Sequence, residues 1–186
     1  MTTPGRVAAV ILAAGAASRF GTPKQQLLLP RVAERVRASC VEEIVAVAGA
    51  YPLPREAVRV VECVDWQRGP GASLRCGLAA LGPHFEAAVV CLADGPSVAP
   101  EAIDRVVGAW RAGAGDVVAA TYGGDRGHPV VLGRAVWASI PDEGARVLEP
   151  VLVSCDDLGS PGDVDRPTDL DAPKAVFASL PMEDVR

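Results

Sequence analysis

The stretch Val10-Ile11-Leu12-Ala13-Ala14-Gly15-Ala16-Ala17-Ser18-Arg19-Phe20-Gly21-Thr22-Pro23-Lys24 decides how this chain is read. From Val7 to Ala14 every residue is apolar, a continuous rather than alternating run, which predicts a short strand buried on both faces. The run breaks at Gly15, and a loop of small residues follows that carries two cations, Arg19 and Lys24. Small side chains let a loop backbone come close to a ligand with its N–H groups turned inward. Two cations just past the carboxyl end of a parallel strand suit a polyphosphate, although a solvated strand-to-helix turn also accounts for them. Two familiar phosphate loops are excluded. A Walker A loop needs Gly-Lys-Ser/Thr in succession, and here Pro23 precedes Lys24 and Gln25 follows it. The dinucleotide turn needs G-x-G-x-x-G, and no other Gly stands between Gly15 and Gly21.

Outward from that stretch, apolar runs alternate with helical periodicity. Glu43–Ala48, Val58–Val61, Ala87–Ala93, Asp116–Thr121 and Val151–Cys155 read as strands. Helical patterns cover Arg31–Ser39, Leu74–Leu81 and Pro100–Ala112, and Asp142–Arg146 is expected to open another that carries Val147 and Leu148 to the core. Pro30 leads straight into the first of these helices, and Gly123–Gly127 reads as a flexible loop into His128-Pro129. Such alternation implies right-handed βαβ units and a parallel sheet. The expected fold is a single three-layer α/β/α domain, Rossmann-like, spanning residues 1–186.

Composition narrows the function classes. With 186 residues, 49% of them hydrophobic and 22% charged, the chain reads as an ordinary globular domain. A net charge of −5 argues against a nucleic-acid surface. No apolar run approaches a membrane span and Met1–Arg6 has no signal-peptide core, so the expected location is the cytoplasm. The five cysteines form no C-x-x-C pair and only two histidines accompany them, which disfavours zinc; Cys63, Cys76 and Cys91 read as buried, inert thiols. Asp94 closes the most convincing central strand, where a carboxylate is placed to hold Mg²⁺, although Asp94-Gly95-Pro96 also reads as a plain turn. Ser73 reads as a helix N-cap, which is compatible with contact to an anion at that helix end.

Leu12-Ala13-Ala14-Gly15-x-x-Ser18-Arg19-Phe20-Gly21-x-Pro23-Lys24 resembles the opening motif of nucleotidyltransferases that activate a substrate with an NTP, most closely the MobA/MocA-like proteins of the molybdenum-cofactor branch. Further matches follow in the family's order: Gly71-Ala72-Ser73-Leu74-Arg75-x-Gly77-Leu78, Leu92-Ala93-Asp94-x-Pro96, Gly127-His128-Pro129-Val130, Asp142-Glu143-Gly144-Ala145-Arg146 and Asp163-Val164-Asp165-x-Pro167-x-Asp169-Leu170. The resemblance implies an Mg²⁺-dependent transfer of a nucleoside monophosphate to a phosphorylated acceptor, molybdopterin foremost, with pyrophosphate released. It implies that Leu12, Ala13, Ala14 and Gly15 read the base, and that Ser18, Arg19, Lys24 and Ser73 hold the nucleotide, with Arg19, Lys24 and Asp94 catalytic. It places His128 on the acceptor side and lets Asp163 or Asp165 join Asp94 at the metal, although either is equally a helix cap. Ala14, where guanylyl-transferring relatives have Gly, favours CTP over GTP, and relatives have Gln at the place of Gly95. They also carry a short Gly-containing loop and helix start between Pro30 and Arg31 that this chain lacks. The same Gly-His-Pro and Asp-Glu-Gly-Ala-Arg stretches resemble proteins described as nicotine blue oxidoreductases, which implies a flavin- or nicotinamide-dependent alternative. A nucleotide-binding partner of a molybdoenzyme, without chemistry of its own, is the third reading.

Overall fold

The computed structural model describes residues 5–15 and 24–162. Strands β1 (Val7–Leu12), β2 (Glu43–Ala48), β3 (Arg59–Glu62), β4 (Ala87–Leu92), β5 (Val117–Tyr122), β6 (Asp125–Gly133) and β7 (Val151–Ser154) form one sheet in the order β3-β2-β1-β4-β6-β5-β7. The β3-β2-β1-β4 half is parallel; β6 runs antiparallel to both β4 and β5, and β7 returns parallel to β5. Helices α1 (Lys24–Arg37) and α3 (Pro100–Arg111) cover one face and α2 (Pro70–Ala79) the other. Alternation along β1 explains the layers. Val7, Ala9 and Ile11 pack with Leu29, Val32, Ile103 and Val106, whereas Ala8 and Val10 pack with Leu74 and Leu78. A strand buried on both sides has no room for polar residues, which is why the run from Val7 is continuous.

The register fixes the site. Leu12 lies opposite Val47 on one side and Leu92 on the other, so β1 and β4 end level with each other. Ala13 N–H donates to Val47 O (3.1 Å) and Ala93 N–H to Leu12 O (3.0 Å), which carries the alignment one residue past the strands.

Four local readings are corrected. Helix α1 begins at Lys24 and runs through Pro30 rather than starting after it. Pro30 is exposed, and its cost of about 3 kcal/mol in a helix interior is offset by the buried stripe Leu28, Leu29, Val32, Ala33 and Val36. Helix α2 begins at Pro70, with Gly69 as its N-cap, so Ser73 lies inside the helix rather than capping it. Gly123-Gly124, both at positive φ, make a two-residue hairpin between paired Tyr122 and Asp125, and Gly127-His128-Pro129 lies on β6. Pro129 falls where the β5–β6 register shifts, so its missing N–H breaks no regular ladder there. Finally, Gly144 at φ 81° stops any helix from Asp142; only a 3₁₀ turn, Ala145–Val147, forms, and Val147 is exposed while Leu148 packs on the α2-side core.

Candidate active site

The level ends of β1 and β4 bring together residues seventy positions apart. Lys24, the first residue of α1, is buried, and its Nζ lies 3.2 Å from Asp94 Oδ2. The Asp94 side chain is 30% exposed against 7% for Lys24, so the cation sits beneath the carboxylate and the carboxylate faces the cleft. The Asp94 turn is closed by Gly95 N–H to Leu92 O (3.2 Å) and backed by the segment at Pro161, whose carbonyl accepts from Ser97 N–H (2.9 Å).

Three adjoining hollows run along the strand ends. One of about 350 Å³ is lined by Leu12–Gly15, Gln25, Trp66, Pro70, Ser73 and Asp94. A second, of about 300 Å³, lies between Asp94, Val98, Tyr122, Arg126, His128 and Pro161. The third, of about 250 Å³, has an apolar floor of Leu12, Leu74, Val90 and Val130 under Arg126 and His128. Leu92 borders all three, so they form a continuous cleft across the carboxyl edge of the sheet, the place where ligands bind in open α/β sheets.

Two clamps shape the far wall. Arg126 on β6 donates to the carbonyl oxygens of Ala145 (2.9 Å), Arg146 (3.1 Å) and Leu148 (2.9 Å). From α2, Arg75 pairs with Asp142 and donates to Ile140 O (2.7 Å), Arg68 reaches Asp142 at 3.2 Å, and Gly71 N–H donates to Asp142 O (2.9 Å). The segment Pro141–Leu148 is thus held to α2 on one side and to β6 on the other. The two guanidinium groups, Arg75 foremost, hold the Asp142 carboxyl below its ordinary value. His128 is pushed down to about 4, by burial first and the Arg126 charge second, with Asp94 opposing, so it is neutral at pH 7. Tyr122 donates its hydroxyl to His128 O (3.0 Å).

Of the residues singled out in the sequence, Leu12, Ala13, Ala14, Gly15, Lys24, Ser73, Asp94 and His128 all line this cleft or bond within it. Ser18, Arg19, Asp163 and Asp165 lie outside the described residues. Arg75 is engaged with Asp142. Sequence reasoning missed Gln25, which is buried, donates Nε2–H to Gly15 O (2.9 Å) and leaves its Oε1 without a partner. It also missed Arg126, whose partners are backbone carbonyls that no motif announces. The reading of Cys63 and Cys76 as inert thiols is overturned: the two are joined as a disulfide, whereas Cys91 is a buried free thiol held far up from its usual value by burial. Among the described residues no three His, Cys, Asp or Glu side chains cluster to hold a metal by themselves. A magnesium ion needs only one or two protein carboxylates when phosphate oxygens and water complete its shell, and the cleft-facing Asp94 carboxylate fits that requirement.

A parallel half-sheet with an ion-paired lysine and aspartate beside a cleft at its carboxyl edge defines an α/β protein with a ligand site at the strand ends. More specifically, the model of the MobA-like NTP transferase domain matches residues 9–153, and the chain belongs to that family. None of the curated proteins matches the chain. Among solved structures, Rv0371c of Mycobacterium tuberculosis H37Rv is similar at 27% identity and a TM-score of 0.71, covering 90% of this chain and 96% of that one. A complex of Rv0371c with manganese aligns at 23% identity and a TM-score of 0.65, covering 91% and 95%. Two further structures share the fold. The 4-diphosphocytidyl-2C-methyl-D-erythritol synthase of Anaerococcus prevotii has 16% identity and a TM-score of 0.62, over 90% and 95% of the chains. A CMP:2-keto-3-deoxy-manno-octonic acid synthetase complexed with CTP has 14% identity and a TM-score of 0.67, over 94% and 99%. The fold is that of nucleotidyltransferases, and no helix among the described residues is long and apolar enough to cross a membrane.

Proposed function

We propose that this protein is an Mg²⁺-dependent cytidylyltransferase that transfers CMP from CTP to a phosphorylated acceptor, molybdopterin foremost, and releases pyrophosphate. The observation that carries the reading is the Lys24–Asp94 pair at the level ends of β1 and β4. In it, Leu12–Gly15, Ser18 and Ser73 hold the nucleotide in the largest hollow, with Lys24 and Arg19 on its triphosphate. Asp94, with Asp163 or Asp165 from beyond the described residues, holds the ion. When bound, Mg²⁺ supplies Lewis-acid neutralisation of phosphate oxygens.

An acceptor phosphate oxygen forms the new bond to the α-phosphorus, and the bond from that phosphorus to the pyrophosphate oxygen breaks. A phosphate monoester is already ionised near pH 7, so the step needs no strong base, and a neutral His128 serves as a hydrogen-bonding contact on the acceptor side. The protein's part is alignment and charge neutralisation. Lys24 exchanges the Asp94 carboxylate for phosphate oxygens as the nucleotide arrives, the carboxylate being left to the cation. CTP is favoured by Ala14, as the family pattern implies, and the alanine is buried against the base-side hollow.

Thermal melting with Mg²⁺ and each of CTP, GTP, UTP, ATP, NADH and FAD tests this reading, because a ligand bound only to the native state raises Tm. A Mg²⁺-dependent rise with CTP that Asp94→Asn abolishes is expected. A rise with FAD or NADH alone would overturn it in favour of redox chemistry.

A further inference from the structure

The disulfide Cys63–Cys76 lies outside the chemistry proposed above, yet it encloses part of the cleft. Cys63 follows β3, is buried, and is pinned to the sheet by its N–H bond to Ala48 O (2.9 Å). Cys76 lies midway along α2, partly exposed, with its Cα 5.8 Å from that of Cys63, a separation ordinary for a disulfide. The bond spans 13 positions. Between the two cysteines stand Trp66, Gly69, Pro70 and Ser73, which line the hollow that would take the nucleotide, and Arg68 and Arg75, which clamp Asp142. One covalent link therefore closes the peptide that forms a wall of the nucleotide site and anchors the segment at Asp142. Between the end of β3 and the start of α2 at Pro70, the only regular structure in this wall is the 3₁₀ turn Trp66–Arg68, which has no side-chain cap from Asp65.

We propose that Cys63 and Cys76 form a thiol–disulfide switch that sets nucleotide affinity: oxidised, the 63–76 wall is fixed for binding; reduced, it loosens and affinity falls. The inference rests on the proposed nucleotide site. The oxidant is a low-molecular-weight disulfide. The partly exposed Cys76, as thiolate, attacks one of its sulfurs, forming a mixed disulfide and releasing one small thiol. The Cys63 thiolate then attacks Cys76 Sγ, forming the internal bond and releasing the second small thiol. The two protons lost by the cysteines end on the two released thiols, and the two electrons from the cysteines reduce the small disulfide. Cys40, Cys91 and Cys155 have no cysteine partner, and burial, the leading cause for each, raises their thiols, which keeps them out of the exchange. In reducing compartments a disulfide is ordinarily transient or sensing rather than permanent, which suits a switch.

The test equilibrates the full chain in buffers of oxidised and reduced glutathione, counts thiols by alkylation and mass, and measures the Kd of Mg²⁺·CTP by calorimetry. Counted after unfolding in denaturant, three alkylatable thiols are expected in the oxidised protein and five in the reduced one, with Kd about tenfold weaker on reduction. Cys76→Ser, with Cys63→Ala as a second variant, should hold the weak Kd in both buffers while melting cooperatively. Five thiols throughout the glutathione series, or an equal Kd in the two states, overturns the switch and leaves the nucleotide site standing. Absence of CTP binding in both states overturns the site and the switch together.

Discussion

Acidification from neutral pH should destabilise this protein through His128. The imidazole is held at about 4 against an ordinary 6.5, with burial the first cause and the Arg126 guanidinium the second. Between those values the unfolded chain binds a proton at this residue and the folded chain does not, so stability rises with pH across that window. Seen from neutral pH, the penalty begins near 6.5, grows to about pH 4 and is constant below. At about 1.36 kcal/mol per pH unit, the interval from 6.5 to about 4 is worth about 3 kcal/mol, a sizeable part of the ~5–15 kcal/mol that stabilises a domain. Carboxylates held low by guanidinium partners, Asp142 by Arg75 and Asp157 by Arg105, add their losses at still lower pH. Urea unfolding at half-unit steps from pH 7.5 to 4.0 reads the slope, and His128→Gln supplies the baseline. The wild-type midpoint should fall relative to the variant throughout the window. Parallel curves for the two proteins, or an imidazole that titrates near 6.5 by NMR, would refute the reasoning.

Three further outcomes follow from the same geometry. Arg126→Met removes the charge beside His128, so the NMR titration point should rise from about 4 yet stay below 6.5, because burial is the larger cause; an unmoved value would show the charge to be irrelevant. Asp94→Asn should cost about 1–3 kcal/mol of stability, because it removes the carboxylate that is ion-paired with the buried Lys24; a wild-type midpoint in denaturant titrations would contradict this. Gly71→Ala drives a Cβ into the Pro141 carbonyl, so it should dislodge the Pro141–Leu148 wall and cost about 1–3 kcal/mol, read as a lowered melting temperature; a wild-type melt would exclude that close approach.

The parts of the fold that the sequence shows plainly are those where burial alone dictates composition. β1, β2 and β4 lie under helices, so their apolar runs are unbroken, and α3 presents Ile103, Val106 and Val107 at helical spacing behind Pro100. Several of the readings that failed are those where Gly or Pro was taken at face value. Pro30 looked like a boundary, yet it sits on the exposed side of a helix held by its opposite face. Gly123-Gly124 looked like slack, yet two residues at positive φ are what a tight hairpin needs. At the site, Lys24 and Asp94 were legible one by one from their positions at strand ends. Their pairing was not, because it depends on the register that makes β1 and β4 end together. The backbone contacts of Arg126 and the Gln25–Gly15 bond leave no trace in spacing, since a carbonyl acceptor can belong to any residue. Nor does the 13-position separation of Cys63 and Cys76 say that β3 and α2 bring them together.

In the proposed function the Lys24–Asp94 junction performs nucleotidyl transfer. Its most direct measurement is pyrophosphate release from CTP with Mg²⁺ and molybdopterin, with Lys24→Met and Asp94→Asn in parallel. One pyrophosphate per CMP joined to the acceptor is expected, with turnover about a hundredfold lower or worse in each variant. Either variant turning over like the wild type, or a wild type that binds CTP yet releases no pyrophosphate with the acceptor present, would contradict it.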